Sequence, residues 1–129
     1  GGVVSGPDAT LLTGVNGEAS AAYAVLIGTS NSTATATGCV VVGGVANDAA
    51  GPYSAVFGGG GNLADGDFST VTGGTQNNAT GNYSTVSGGK QNEAIGDHST
   101  VSGGFQRSTG PSAPDNQYDW VAGSLFEAQ

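Results

Sequence analysis

One apolar position recurs along the chain at a fixed distance. Leu26, Val41, Val56, Val71, Val86 and Val101 each stand two residues before a glycine, at Gly28, Gly43, Gly58, Gly73, Gly88 and Gly103, and every interval is fifteen residues. Asn47, Asn62, Asn77 and Asn92 follow four residues after the glycine, then Ala49, Ala64, Ala79 and Ala94, then Gly51, Gly66, Gly81 and Gly96. Positions held in register over successive units define an internal repeat, and the period sets the fold. Each unit carries two turn signals, a Gly-Gly pair such as Gly88-Gly89 and a Gly-Asp or Gly-Asn pair such as Gly66-Asp67 or Gly81-Asn82. Between them lie two strand-length segments, "YSTVS" and "QNEAI", with no room for a helix. Two strands and two turns in fifteen residues predict one coil of a parallel β-solenoid, stacked on the next at about 4.8 Å. Equivalent residues then form ladders up the stack.

The ends depart from the period. "LLTGVNGEAS" reads as a shortened turn around Gly14, and "YDWVAG" matches "YSTVSG" but follows "HSTVSG" by twenty residues. The expected organisation is a repeat region over 1–109, then a final coil over 110–129 with a five-residue insertion around "GPSAP". Trp120, in the slot of Thr85 and Thr100, is expected to cap the open end; with Leu125 and Phe126 it forms a cap or a junction. The count is about eight coils, or roughly 38 Å of rod.

In the early coils the apolar pattern does not alternate. Val25-Leu26-Ile27 and Val40-Val41-Val42 are continuous apolar runs, which suit a strand covered on both faces. One face meets the coil's own interior. The other needs a second surface, which copies of the same chain supply most economically. The ladder of Leu26, Val41, Val56, Val71, Val86 and Val101, with the Asn47, Asn62, Asn77 and Asn92 column, is the expected structural ladder and subunit interface. In later coils the flanking positions become Thr and Ser.

Composition sharpens this picture. Of 129 residues, 25 are glycine, 9% are charged and 36% hydrophobic, too little apolar mass for a thick core. Richness in Val and Thr favours strands over disorder. The net charge is −8, and Lys90 and Arg107 are the only cations, so no basic face exists for nucleic acid or anionic membranes. No apolar run reaches the roughly 18 residues of a membrane span, so no direct insertion is expected. Cys39 is the one cysteine and leaves the redox compartment open. No signal peptide is visible and residue 1 is glycine, which reads as a fragment or a processed product.

"STVSGGKQNEAIGDHSTVSGG" resembles the head repeats of YadA-like trimeric autotransporter adhesins and related phage and surface fibre proteins, and "AVLIG" (Ala24 to Gly28) is the closest literal match to their motif. The resemblance covers roughly Gly14 to Gly104 and the last coil. It implies a left-handed parallel β-roll, three chains side by side, displayed on a cell or particle surface. Stalk, neck and membrane barrel have no counterpart in this chain.

Nothing in the sequence assembles an active site. His98 shares the column of Tyr53, Phe68 and Tyr83 and reads as a filler of that position. Serines abound, but no nucleophile elbow surrounds one. "GGK" lacks the rest of a phosphate loop. "GGGGNLADGD" places Leu63 where a calcium nonapeptide needs Asp, leaving Asp65 and Asp67 as stray acids. The asparagines read as stacked amides. Asn31, Asn78 and Asn82 are nominal glycosylation sequons that such a repeat generates freely. Thr70, Thr85 and Thr100 beside Thr72, Ser87 and Ser102 make a short threonine ladder of the ice-binding kind, replaced by Val25, Val40, Ala55, Ile27, Val42 and Phe57 toward the N-terminus. The expectation is therefore a non-enzymatic extracellular or virion-surface rod with no cofactor and no metal. Its expected partners are itself and an unidentified cell-surface or matrix receptor. An end-to-end extracellular filament is the alternative, with ice binding behind it.

Overall fold

In the computed structural model, residues 1–110 and 119–122 are described; the segment from Pro111 to Tyr118, and Leu125 and Phe126 with the rest of the C-terminus, lie outside them. Among the described residues the chain is all-β, a parallel β-solenoid whose coils alternate between two sheets. One sheet has eight strands and carries the Leu26–Val41–Val56–Val71–Val86–Val101 column; it is called here the valine sheet. The other, the alanine sheet, has seven strands built around Ala19, Ala34, Ala49, Ala64, Ala79 and Ala94. Every pairing is parallel, and through the regular coils the offset is fifteen: Thr70 pairs Thr85 and Val71 pairs Val86, while Asn78 pairs Glu93 and Ala79 pairs Ala94.

Four inward columns fill the interior. The leucine/valine and alanine columns face each other, the asparagines occupy one corner, and Ala24, Cys39, Ser54, Ser69, Ser84 and Ser99 the other. All of these are buried, yet no side chain among them exceeds Leu26 in size, because two sheets joined by short turns leave no space for more. The narrow core explains the low hydrophobic content.

The glycines at the turns have two different duties. Gly44, Gly59, Gly74 and Gly89 take positive φ, and a Cβ on Gly74 would lie 2.1 Å from the carbonyl oxygen of Gly89 and 2.6 Å from the side-chain Nδ2 of Asn77. Gly51, Gly66 and Gly81 need no positive φ; a Cβ on Gly66 would sit 2.1 Å from the oxygen of Gly81 in the next coil. Close approach of stacked backbones demands glycine there. In that second turn the left-handed residue is instead the aromatic one, with φ of 58° at Tyr53, 56° at Phe68, 57° at Tyr83 and 60° at His98. The turn closes by a bond from the residue after it, as where Ser84 N–H donates to Gly81 O at 3.2 Å.

One expectation about the ends changes. The region around Gly14 is not a shortened turn: Thr10–Val15 is a continuous strand that pairs with Val25–Ser30 in the same fifteen-residue register. There the residue after the left-handed position is Gly14 or Thr29 in place of the second glycine of a Gly-Gly pair, so the strand runs on. At the other end Thr100 pairs Trp120 and Val101 pairs Val121, a twenty-residue offset that the strand register absorbs. The first described strand, Val3–Val4, belongs to the alanine sheet and the last, Trp120–Val121, to the valine sheet.

Candidate interaction surface

The asparagine column is closed to outside ligands by its own hydrogen bonds. Asn77 Nδ2 donates to Gly73 O in its own coil at 2.9 Å and to Gly89 O in the next at 3.0 Å. Its Oδ1 accepts the backbone N–H of Asn92 at 2.9 Å, and Asn77 N–H in turn donates to Asn62 Oδ1 at 3.0 Å. The chain of amides begins at Ser32, whose Oγ accepts Asn47 N–H, and ends where Asn92 Oδ1 accepts Arg107 N–H. A fully bonded buried amide row fixes coil spacing and leaves no group for a partner. The valine ladder is likewise enclosed by its own chain: Leu26 to Val101 are all fully buried. The outward residues of the valine sheet are therefore the columns on either side of that ladder.

Those flanking columns form the outer face of the valine sheet, and it is divided along its length. The N-terminal half presents Leu12, Val25, Ile27, Val40, Val42, Ala55 and Phe57. Leu12 is 57% exposed and Phe57 45%. The C-terminal half presents Thr70, Thr72, Thr85, Ser87, Thr100 and Ser102 in register, ending at Trp120. Trp120 is exposed, and its indole N–H donates to Ser102 Oγ at 2.7 Å, so the ring lies along this face. Val121, not Trp120, is the residue that continues the inward column. The opposite face, on the alanine sheet, is mostly polar and acidic, with Glu18, Thr33, Asp48, Asn78 and Glu93 outward and Val3 and Leu63 as the apolar members of that column.

A second feature, only partly legible beforehand, runs along the corner beside the valine sheet. Tyr53, Phe68, Tyr83 and His98 stack in one file, with ring centroids 5.1, 5.0 and 4.9 Å apart and planes within 13°, 3° and 4° of parallel. The repeat period put these rings in one column; the left-handed turn conformation is what turns them face to face. Ring faces between members are occupied by neighbours, so this ridge offers ring edges to a partner.

The other singled-out residues fall in structural positions. Cys39 is enclosed in the serine column, and burial pushes its thiol pKa above the ordinary value. Asp65 and Asp67 are exposed, and among the described residues no group of three or more His, Cys, Asp or Glu side chains is arranged to hold a metal ion. No helix among them is long and apolar enough to cross a membrane.

Fold and surface together define the class: a parallel β-solenoid with one half-apolar outer face. No family model, curated protein or solved structure matches the chain.

Proposed function

We propose that the chain is a non-enzymatic rod module of an extracellular or virion-surface fibre, in which three copies pack side by side through the outer faces of their valine sheets as left-handed rolls. The carrying observation is the unbroken apolar patch from Leu12 to Phe57, flanked by Val25, Val40 and Ala55, on a flat sheet face that no other described segment covers. A chain with nine per cent charged residues gains by covering such a patch, at roughly 25 cal/mol per Å² removed from water. The resemblance of the repeat to YadA-like heads supports three as the number of copies and the left hand of the roll. The acidic alanine-sheet faces and the aromatic ridges then point outward, each presented three times. A receptor is held by many weak, identical contacts.

The test is a pair of single substitutions on the same face. Val42→Glu places a charge in the apolar half and is expected to convert the assembly to monomers that keep their β circular dichroism. Thr72→Glu, two coils on in the same column, is expected to leave the mass unchanged. Equal behaviour of the two variants would remove the apolar half as the contact.

A further inference from the structure

The aromatic file has a gap in it. Its column runs Tyr23, Gly38, Tyr53, Phe68, Tyr83, His98 at the fifteen-residue period, and only Gly38 brings no ring. The backbone passes through that place unchanged. Gly38 takes the left-handed conformation of its neighbours, with φ of 67° against 60° at Tyr23 and 58° at Tyr53. Its N–H donates to Ala22 O at 2.9 Å, as Tyr53 N–H donates to Thr37 O at 2.9 Å. The gap is therefore one ring thick. Tyr23 and Tyr53 bound it from two coils apart, about 9.6 Å at the usual strand spacing.

The two bounding rings differ from the rest of the file. Tyr53, Phe68, Tyr83 and His98 cover one another's faces, but among the described residues no ring stacks on Tyr23, and Tyr53 is covered on its Phe68 side alone. Tyr23 and Tyr53 are 61% and 56% exposed, against 47% for Phe68 and 52% for Tyr83. Tyr53 also leans toward the gap. Its Cδ1 and Cε1 lie 2.7 and 2.8 Å from the point that a Gly38 Cβ would occupy, and its plane is 13° from that of Phe68, where the next pairs are 3° and 4° apart. A ring with no neighbour on one face tilts to the free side, and a guest ring would return it to the file.

The surroundings of the gap are neutral. Thr37 and Pro52 on the turn side and Val40 on the sheet side carry no charge, and the nearest acids of the ring and turn columns, Asp8 and Asp67, lie beyond the two walls. Each wall ends in a phenol hydroxyl that donates and accepts, whereas Phe68 inside the file has none. Such a slot takes an uncharged guest that is apolar on both faces and polar around its rim. A pyranose whose hydroxyls are all equatorial has that form, with axial C–H groups on both faces and hydroxyls radiating from the edge. An axial hydroxyl would instead meet a tyrosine face and lose its hydration without a partner.

We propose that the gap between Tyr23 and Tyr53, over Gly38, binds the terminal sugar of a neutral glycan, an all-equatorial pyranose held between the two tyrosine faces. This gives the receptor of the proposed fibre a chemical class. The site itself lies within one chain and does not depend on side-by-side packing. One sugar in so open a gap binds weakly, and repetition over several copies raises the avidity.

NMR titration of the native chain, with its tyrosine rings isotope-labelled, tests this with methyl β-D-glucopyranoside as the probe. Methyl β-D-galactopyranoside, which carries one axial hydroxyl, is the comparison. The glucoside is expected to shift the ring signals of Tyr23 and Tyr53 and leave those of Tyr83 in place. Saturation passed from the two rings should reach the axial protons of both sugar faces, and the galactoside should bind more weakly. Gly38→Tyr supplies the missing ring in a conformation that tyrosine already adopts at Tyr23 and Tyr53, so it is expected to keep the β circular dichroism and abolish the response. Tyr23→Ala removes one exposed wall and should weaken binding by up to about tenfold. Equal responses to the two sugars, binding that survives Gly38→Tyr in a folded chain, or no shift of Tyr23 and Tyr53 with the glucoside would each overturn the proposal. Light scattering on the same samples reports the packing separately: a monomer that binds the glucoside keeps the site and removes the lateral assembly.

Discussion

At the scale of single residues, stability rests on amides more than on hydrophobic bulk. Removing the side chain of Asn77 strands the buried Asn92 N–H and takes the side-chain donor from Gly73 O and from Gly89 O, although Gly89 O keeps the Thr75 N–H. An orphaned buried group costs about 1–3 kcal/mol, so Asn77→Ala is expected to cost about 2 kcal/mol or more in urea unfolding. Asn77→Ser should cost less, because Ser32 already serves this column by accepting Asn47 N–H. Equal losses for the two variants would show that the amide contributes only its volume. Cys39 makes a second residue-scale case. Burial raises its thiol pKa in the fold, so the unfolded chain ionises first as pH rises. Stability from this group is complete below the unfolded thiol value of about 8.5 and is lost as pH climbs through the folded value. Cys39→Ser removes that alkaline loss, and serine is the residue of Ser54, Ser69 and Ser84 in the same column. Wild-type and variant melting curves compared from pH 7 to pH 10 should therefore diverge only at the upper end.

At the scale of the coil, glycine sets how closely neighbours stack. Gly74→Ala drives a Cβ into Gly89 O and the Asn77 amide, at a φ of +83°. It is expected to cost about 3 kcal/mol or more. Gly60→Ala, at a position filled elsewhere by Val45, Thr75 and Lys90, should stay within about 0.5 kcal/mol. Thermal melts of the two variants separate a stacking requirement from generic glycine loss. Much of this element was readable in the sequence, since a ladder writes itself as a period: Val71 with Val86 and Asn77 with Asn92 are spaced as they pair. What the period could not show was conformation. The Gly66-Asp67 pair reads as a tight-turn signal, but the left-handed residue in that turn is Phe68, and Gly66 is there for clearance. Spacing cannot separate those duties, because both select glycine or tolerate it. The interior place of the valine ladder, which removes it from any subunit contact, also needed the fold. Period alone does not say which of three adjacent apolar residues points inward.

At the scale of the whole molecule, the rod is polarised along its axis. Its outer valine-sheet face changes from apolar to threonine- and serine-lined between Phe57 and Thr70. The apolar part supports lateral association over the N-terminal half. The most direct test of the central claim, lateral packing through the apolar half-face, is the molar mass of the native chain by light scattering over a concentration series. The mass expected is three times the 12.4 kDa of one chain. A folded species that stays at 12.4 kDa across the whole concentration series would contradict it.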